Sequence, residues 1–120
     1  MAQPNANSRN NVVKNVRQEK AGVILELSGD VDLHHSVELR QVLLEELGRK
    51  PSRLVVNMSQ VAFMDSSGLA TLVEALQLSR RYGGQLKLVG MQPRVRSIFE
   101  ISRLDTIFQT CATEAEALAP

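Results

Sequence analysis

Asp65, Ser66, Ser67 and Gly68 form the segment of this chain best suited to chemistry. Two hydroxyls behind a carboxylate suit either of two roles. A serine activated by a base can attack a carbonyl, and Asp32 and His34 lie upstream to complete a Ser-His-Asp set. A serine at the start of a helix can instead carry a phosphate. The first amides of a helix lack partners within it and the dipole there is positive, so an anion is welcome. The second role fits better. The Gly-x-Ser-x-Gly pattern of a strained nucleophile elbow is absent, and Ser67 falls in the first turn of a helical pattern. No catalytic residue is therefore assigned. With no P-loop or dinucleotide fingerprint either, no cofactor is expected. His34 and His35 are neighbours, which rarely converge on one ion, and no cysteine joins them, so no metal is expected.

The elements around this segment decide how it is presented. The unbroken apolar run Leu54–Met58 reads as a central strand covered on both faces. A helical pattern follows from Ser66 to Tyr82, with Asp65 or Ser66 as its cap. At 100° per residue, Leu69, Leu72, Val73 and Leu76 share one face, and Ser67, Thr71, Glu74 and Leu78 share the opposite one. On this reading Ser67 points outward and Leu78 is an apolar residue in line with it on the open side. Gly68 is poor helix material, costing about 1 kcal/mol relative to alanine. It is expected to leave the corner open to another protein's backbone. Gly83-Gly84 ends the helix.

Upstream, positions 1–11 are polar and read as a disordered tail, leaving one domain over 12–118. Val12–Arg17 and Val23–Ser28 are expected to pair as an antiparallel hairpin across a turn at Gln18–Gly22. Gly29–His35 reads as a loop, and Ser36 as the cap of a helix with Glu38 in its first turn. Gly48 is the expected left-handed stop before Pro51. Downstream come a strand at Leu86–Val89, a helix opening at Pro93, a short apolar piece at Ile107-Phe108, and a capping box at Thr113 and Glu116 for a last helix. Strands alternating with helices predict an α/β fold: a four- to five-stranded mixed sheet, an N-terminal hairpin followed by parallel βαβαβ, with about four helices. The loops after the parallel strands then share one edge. That edge gathers Asp30, Asp32, His34, His35, Asp65, Ser66, Ser67 and Arg94.

Composition narrows the partners. The chain has 120 residues, is 43% hydrophobic and carries a formal charge of +1, so its net field singles out neither nucleic acid nor an anionic membrane. The lone cysteine, Cys111, excludes an internal disulfide and fits a reducing cytoplasm. No apolar run nears the roughly 20 residues of a membrane span.

Gly29-Asp30-Val31-Asp32, followed by Phe63-Met64-Asp65-Ser66-Ser67-Gly68-Leu69, resembles the STAS domain, and more closely the bacterial anti-sigma-factor antagonists, over Val12 to Cys111. The resemblance implies that a serine-kinase anti-sigma factor phosphorylates Ser67. The unphosphorylated form would bind that kinase and free a sigma factor, and a serine phosphatase would reset it. The same resemblance points to Asp32, and the docking surface read above extends it over Asp65, Ser66, Ser67, Gly68, Thr71 and Leu78. It implies a cytoplasmic, monomeric or weakly dimeric regulator rather than an enzyme. Its alternative is a scaffold subunit of a stress-signalling assembly or a transport ATPase complex. Family members often carry glycine where this chain has Arg103, which puts the cap of the third helix in question.

Overall fold

The computed structural model describes residues 11–120; the expected tail at 1–11 lies outside the described residues except for Asn11. Strand β1 (Val13–Glu19) turns back through Lys20 and Ala21 into β2 (Gly22–Val31), with Glu19 opposite Gly22 in an antiparallel ladder. Then come α1 (Leu33–Leu47), β3 (Arg53–Met64), α2 (Ser66–Arg81), β4 (Gln85–Val89), α3 (Pro93–Ile101), β5 (Gln109–Cys111) and α4 (Glu114–Leu118). The sheet order is β1-β2-β3-β4-β5, and every pair after the hairpin is parallel. The mixed α/β sheet expected from the sequence is thus present with five strands.

β3 runs well past Met58, where the continuous apolar run ends. Its register against β2 slips twice, between Glu26 and Ser28 and between Gly29 and Asp30, so β3 carries an extra residue at each slip. Its core-facing residues are Leu54, Val56, Met58, Val61 and Met64, and their spacing widens from two to three where the bulges fall. A period-2 pattern stops being visible there, although the strand continues. β5 was legible only as the apolar Ile107-Phe108 before it. Phe108 is buried edge-to-face on Phe99, and the strand itself is three residues laid beside β4.

Helices α1 and α2 pack side by side over the main core, bridged by Arg40 and Glu74 at 2.7 and 2.9 Å. A smaller apolar cluster of Ile24, Val55, Val89 and Ala117 lies under α4. Beside it Arg17 bonds Glu26 and Glu114, and Asn57 holds the other Glu114 oxygen at 2.7 Å.

Helix ends differ from expectation in two places. α1 starts four residues earlier than a Ser36 cap allows. Asp32 is its N-cap, and Ser36 is buried with its hydroxyl donating to the Leu33 carbonyl. Glu38 instead reaches the start of the hairpin and accepts from the Val12 and Val13 amides at 2.9 and 3.2 Å. At the far end Gly48 is right-handed (φ −62°), and the left-handed residue is Lys50 (φ 55°), just before Pro51. The end of α2 follows the sequence: Gly83 is left-handed (φ 82°), and Gly84 N–H reaches the Ser79 carbonyl at 2.8 Å.

Candidate functional site

Strands β2 and β3 end together, with Val31 opposite Met64, and each hands over at once to a helix capped by an aspartate. The Asp65 amide extends this join by donating to the Val31 carbonyl at 3.2 Å. Two helix N-termini therefore meet at one edge of the sheet, the rim that the parallel topology predicts.

Asp65 holds that rim together. Its Oδ1 accepts from the Ser67 amide at 2.9 Å, the Ser67 hydroxyl at 2.5 Å and the Gly68 amide at 3.3 Å. Its Oδ2 accepts from the Leu33 amide at 3.1 Å, so one carboxylate caps α2 and also takes an orphan donor of α1. The Ser67 hydroxyl, followed by these backbone donors, holds the Asp65 carboxyl below the usual carboxylate range. Asp32 works more locally. Its Oδ1 accepts from the His35 amide at 3.0 Å and meets His35 Nδ1 at 2.8 Å, and it too is held low, chiefly by that amide.

Ser67 is half-buried at this corner and Ser66 is exposed beside it. The Ser67 hydroxyl faces neither the aliphatic interior nor open water; it lies along the helix end against Asp65. Among the described residues no histidine bonds it. His35 is committed to Asp32, and His34 stacks edge-on against His35 with ring centres 5.0 Å apart. The imagined Ser-His-Asp set is thus not assembled.

Several sequence-derived docking residues take other roles. Gly68 is buried, and a Cβ there would stand 2.7 Å from both Val31 Cγ1 and the Val31 carbonyl oxygen. Its missing side chain admits the protein's own strand, not a partner's backbone. Thr71 is buried with its hydroxyl on the Ser67 carbonyl at 2.9 Å, and Leu78 is half-buried against the core. α1 packs along the helix face that the wheel left open and leaves Ser67, Glu74 and Leu78 half-buried, and a wheel drawn for one helix cannot show its neighbour. Asp30 still belongs to β2, opposite Phe63, and Arg94 is exposed on α3.

The sequence reading missed Leu33 and Val37, which are 72% and 59% exposed at the start of α1. With Asp32 recognised as the cap, these residues lie one turn apart and away from the buried Leu39, Leu43 and Leu47. Treating Gly29–His35 as a loop hid that signal.

This arrangement, two parallel strands feeding two aspartate-capped helices with a serine pair on the second, is matched by a family model. The STAS domain model covers residues 11–117, and the chain belongs to that family. Within it, the chain is 30% identical to an anti-sigma F factor antagonist of Paenibacillus polymyxa, over 80% of this chain and 83% of that one. It is 28% identical to the anti-sigma-B factor antagonist of Bacillus subtilis, over 85% and 93% of the two chains. The Bacillus cell fate determinant SpoIIAA, solved in its phosphorylated form, superposes with a TM-score of 0.65 at 25% identity, covering 88% of this chain and 94% of its own. These relatives place the chain among regulatory antagonists of anti-sigma factors. Among the described residues no helix is long and apolar enough to cross a membrane.

Proposed function

We propose that this chain is an anti-sigma-factor antagonist whose unphosphorylated form binds a serine-kinase anti-sigma factor and so frees a sigma factor. Phosphorylation of Ser67 ends that binding, and a serine phosphatase restores it. The observation that carries this reading is the Ser67 hydroxyl, set on the first turn of α2 at the rim, with Asp65 as its hydrogen-bond partner. The names of the relatives and the phosphorylated state of one of them support it.

The physics of release follows from that geometry. A phosphate replaces the hydroxyl proton that Asp65 now accepts and brings about −1.5 to −2 charges beside a carboxylate that is itself ionised. The group must turn away from Asp65, toward the surface where a kinase would sit. The helix N-terminus tolerates it, so the domain keeps its fold. The cost falls on the contact, where bulk and charge lose their water. A differential of about 3–4 kcal/mol lowers affinity by a few hundredfold or more.

The experiment is to incubate the chain with serine-kinase anti-sigma factors and ATP, locate the phosphate by mass spectrometry, and measure binding by calorimetry. Phosphate is expected on Ser67, Ser67→Ala should bind without being released by ATP, and Ser67→Asp should bind more weakly. Transfer to another residue, together with wild-type affinity for Ser67→Asp, overturns the reading.

A further inference from the structure

Among the described residues, the most exposed large apolar side chains are Ile101, Leu33 and Val37. A single exposed apolar residue such as Ile101 carries no information. Leu33 and Val37 differ in their setting. They lie one helical turn apart, and with Asp32, His34 and Asp65 they line an open cleft of about 550 Å³ at the rim. Among the described residues no lysine or arginine lines it, and its charged groups are the two aspartates.

Those two aspartates are not equally available. Both Asp65 oxygens are occupied by donors of this chain. Asp32 receives its donors on Oδ1, and no donor of the described residues reaches its Oδ2. The cleft thus offers an apolar step beside one open carboxylate oxygen.

Resting on the function proposed above, we propose that Leu33 and Val37 are the anchor point for the serine-kinase anti-sigma factor. One aliphatic or aromatic side chain of the partner seats on them, while a neighbouring lysine or arginine reaches Asp32 Oδ2. A few apolar anchors in a largely polar contact carry most of an interface's affinity. Charge complementarity at a rim position such as Asp32 acts mainly on association rate and salt dependence. The anchor also adjoins the switch. Asp65 Oδ1 bonds the Ser67 hydroxyl and Oδ2 bonds the Leu33 amide, so a phosphate on Ser67 stands one carboxylate away from the seated side chain.

The test uses the kinase shown to phosphorylate Ser67 of the full chain, with affinity read by calorimetry in its nucleotide-bound state. Leu33→Ala/Val37→Ala should bind at least tenfold more weakly with an unchanged melting temperature, since both side chains are largely in water. Asp32→Asn should flatten the salt dependence of the association rate. Ile101→Ala, on α3, should leave binding as it is. If the double variant binds within twofold of wild type while phosphorylation still releases the wild-type chain, the anchor is overturned and the function stands. If the wild-type chain meets no such kinase, both fall. If the double variant instead abolishes self-association of the chain and leaves kinase affinity unchanged, the cleft is a homodimer contact and the anchor is overturned.

Discussion

Asp32 and Asp65 do the same backbone work with almost the same backbone. Each ends a parallel strand and caps the helix that follows, at φ/ψ of −105°/−175° and −104°/−173°. What they hold is different. Asp32 satisfies its own helix start and a histidine three residues on, and no donor of the described residues reaches its second oxygen. Asp65 satisfies its own helix, the Ser67 hydroxyl and the neighbouring helix. Capping chemistry alone therefore does not tell a structural aspartate from one free for a partner. The unused oxygen does.

Replacing the two residues should separate those roles. Asp65→Ala removes the acceptor of donors at two helix starts. Losing a cap costs about 1 kcal/mol, and leaving further donors unpaired raises the loss to about 2–3 kcal/mol, read as a lower urea midpoint. Asp32→Ala should destabilise less, because only a local cap is lost, while weakening partner binding more than its stability change explains. Equal stability losses would break the comparison. The pH dependence sharpens it. The folded-state carboxyl of Asp65 titrates below its ordinary value of 3.8. Its stabilising effect is therefore complete above about pH 5 and fades as pH falls through 3.8 and below. Asp65→Ala should remove part of that acid-side loss, visible as a shallower fall of melting temperature between pH 5 and 3.

Gly68→Ala is the next largest effect. Alanine favours a helix over glycine by about 1 kcal/mol, so on propensity alone the change would stabilise. Here the new methyl would meet the Val31 carbonyl oxygen, a backbone atom that also receives the Asp65 amide. Overpacking of this kind costs about 1–3 kcal/mol, and prying Val31 from Asp65 adds to it. A net loss of about 2 kcal/mol in urea unfolding is expected. A gain in stability would mean that the end of β2 and the first turn of α2 are less tightly joined than the Asp65 ties require.

The order of elements, the parallel core and the position of Ser67 could be read from hydrophobic periodicity and turn residues, because those are local signals. Asp65 was legible as a cap for the same reason. Its bond to Leu33 was not, since it joins residues far apart in sequence through a meeting of strands that no window spans. Gly68 read as an opening because a missing side chain looks the same whether a partner or the protein's own Val31 fills the space. Leu78 read as exposed because α1, which packs beside it and leaves it half-buried, comes from elsewhere in the chain. The late half of β3 escaped because two bulges change its inward spacing.

The opposite edge of the sheet provides the smallest and cleanest contrast. α3 ends with Arg103 in the left-handed region (φ 58°), and the cap the sequence put in question is nonetheless made. Leu104 N–H reaches the Phe99 carbonyl at 2.8 Å and Arg103 N–H the Glu100 carbonyl at 3.0 Å, the paired bonds of a helix stop usually built on glycine. An L-residue in this conformation costs roughly 1–2 kcal/mol, partly offset because glycine loses more freedom on folding. Arg103→Gly should therefore stabilise the domain by about 0.5–1 kcal/mol, a rise of a few degrees in melting temperature. Because this end of α3 shares no hydrogen bond with Asp32, Asp65 or Ser67, the rate of Ser67 phosphorylation should not change. A gain in stability that also slowed phosphorylation would mean that the rim is set by the whole α3 framework. Its own two aspartates would then not suffice.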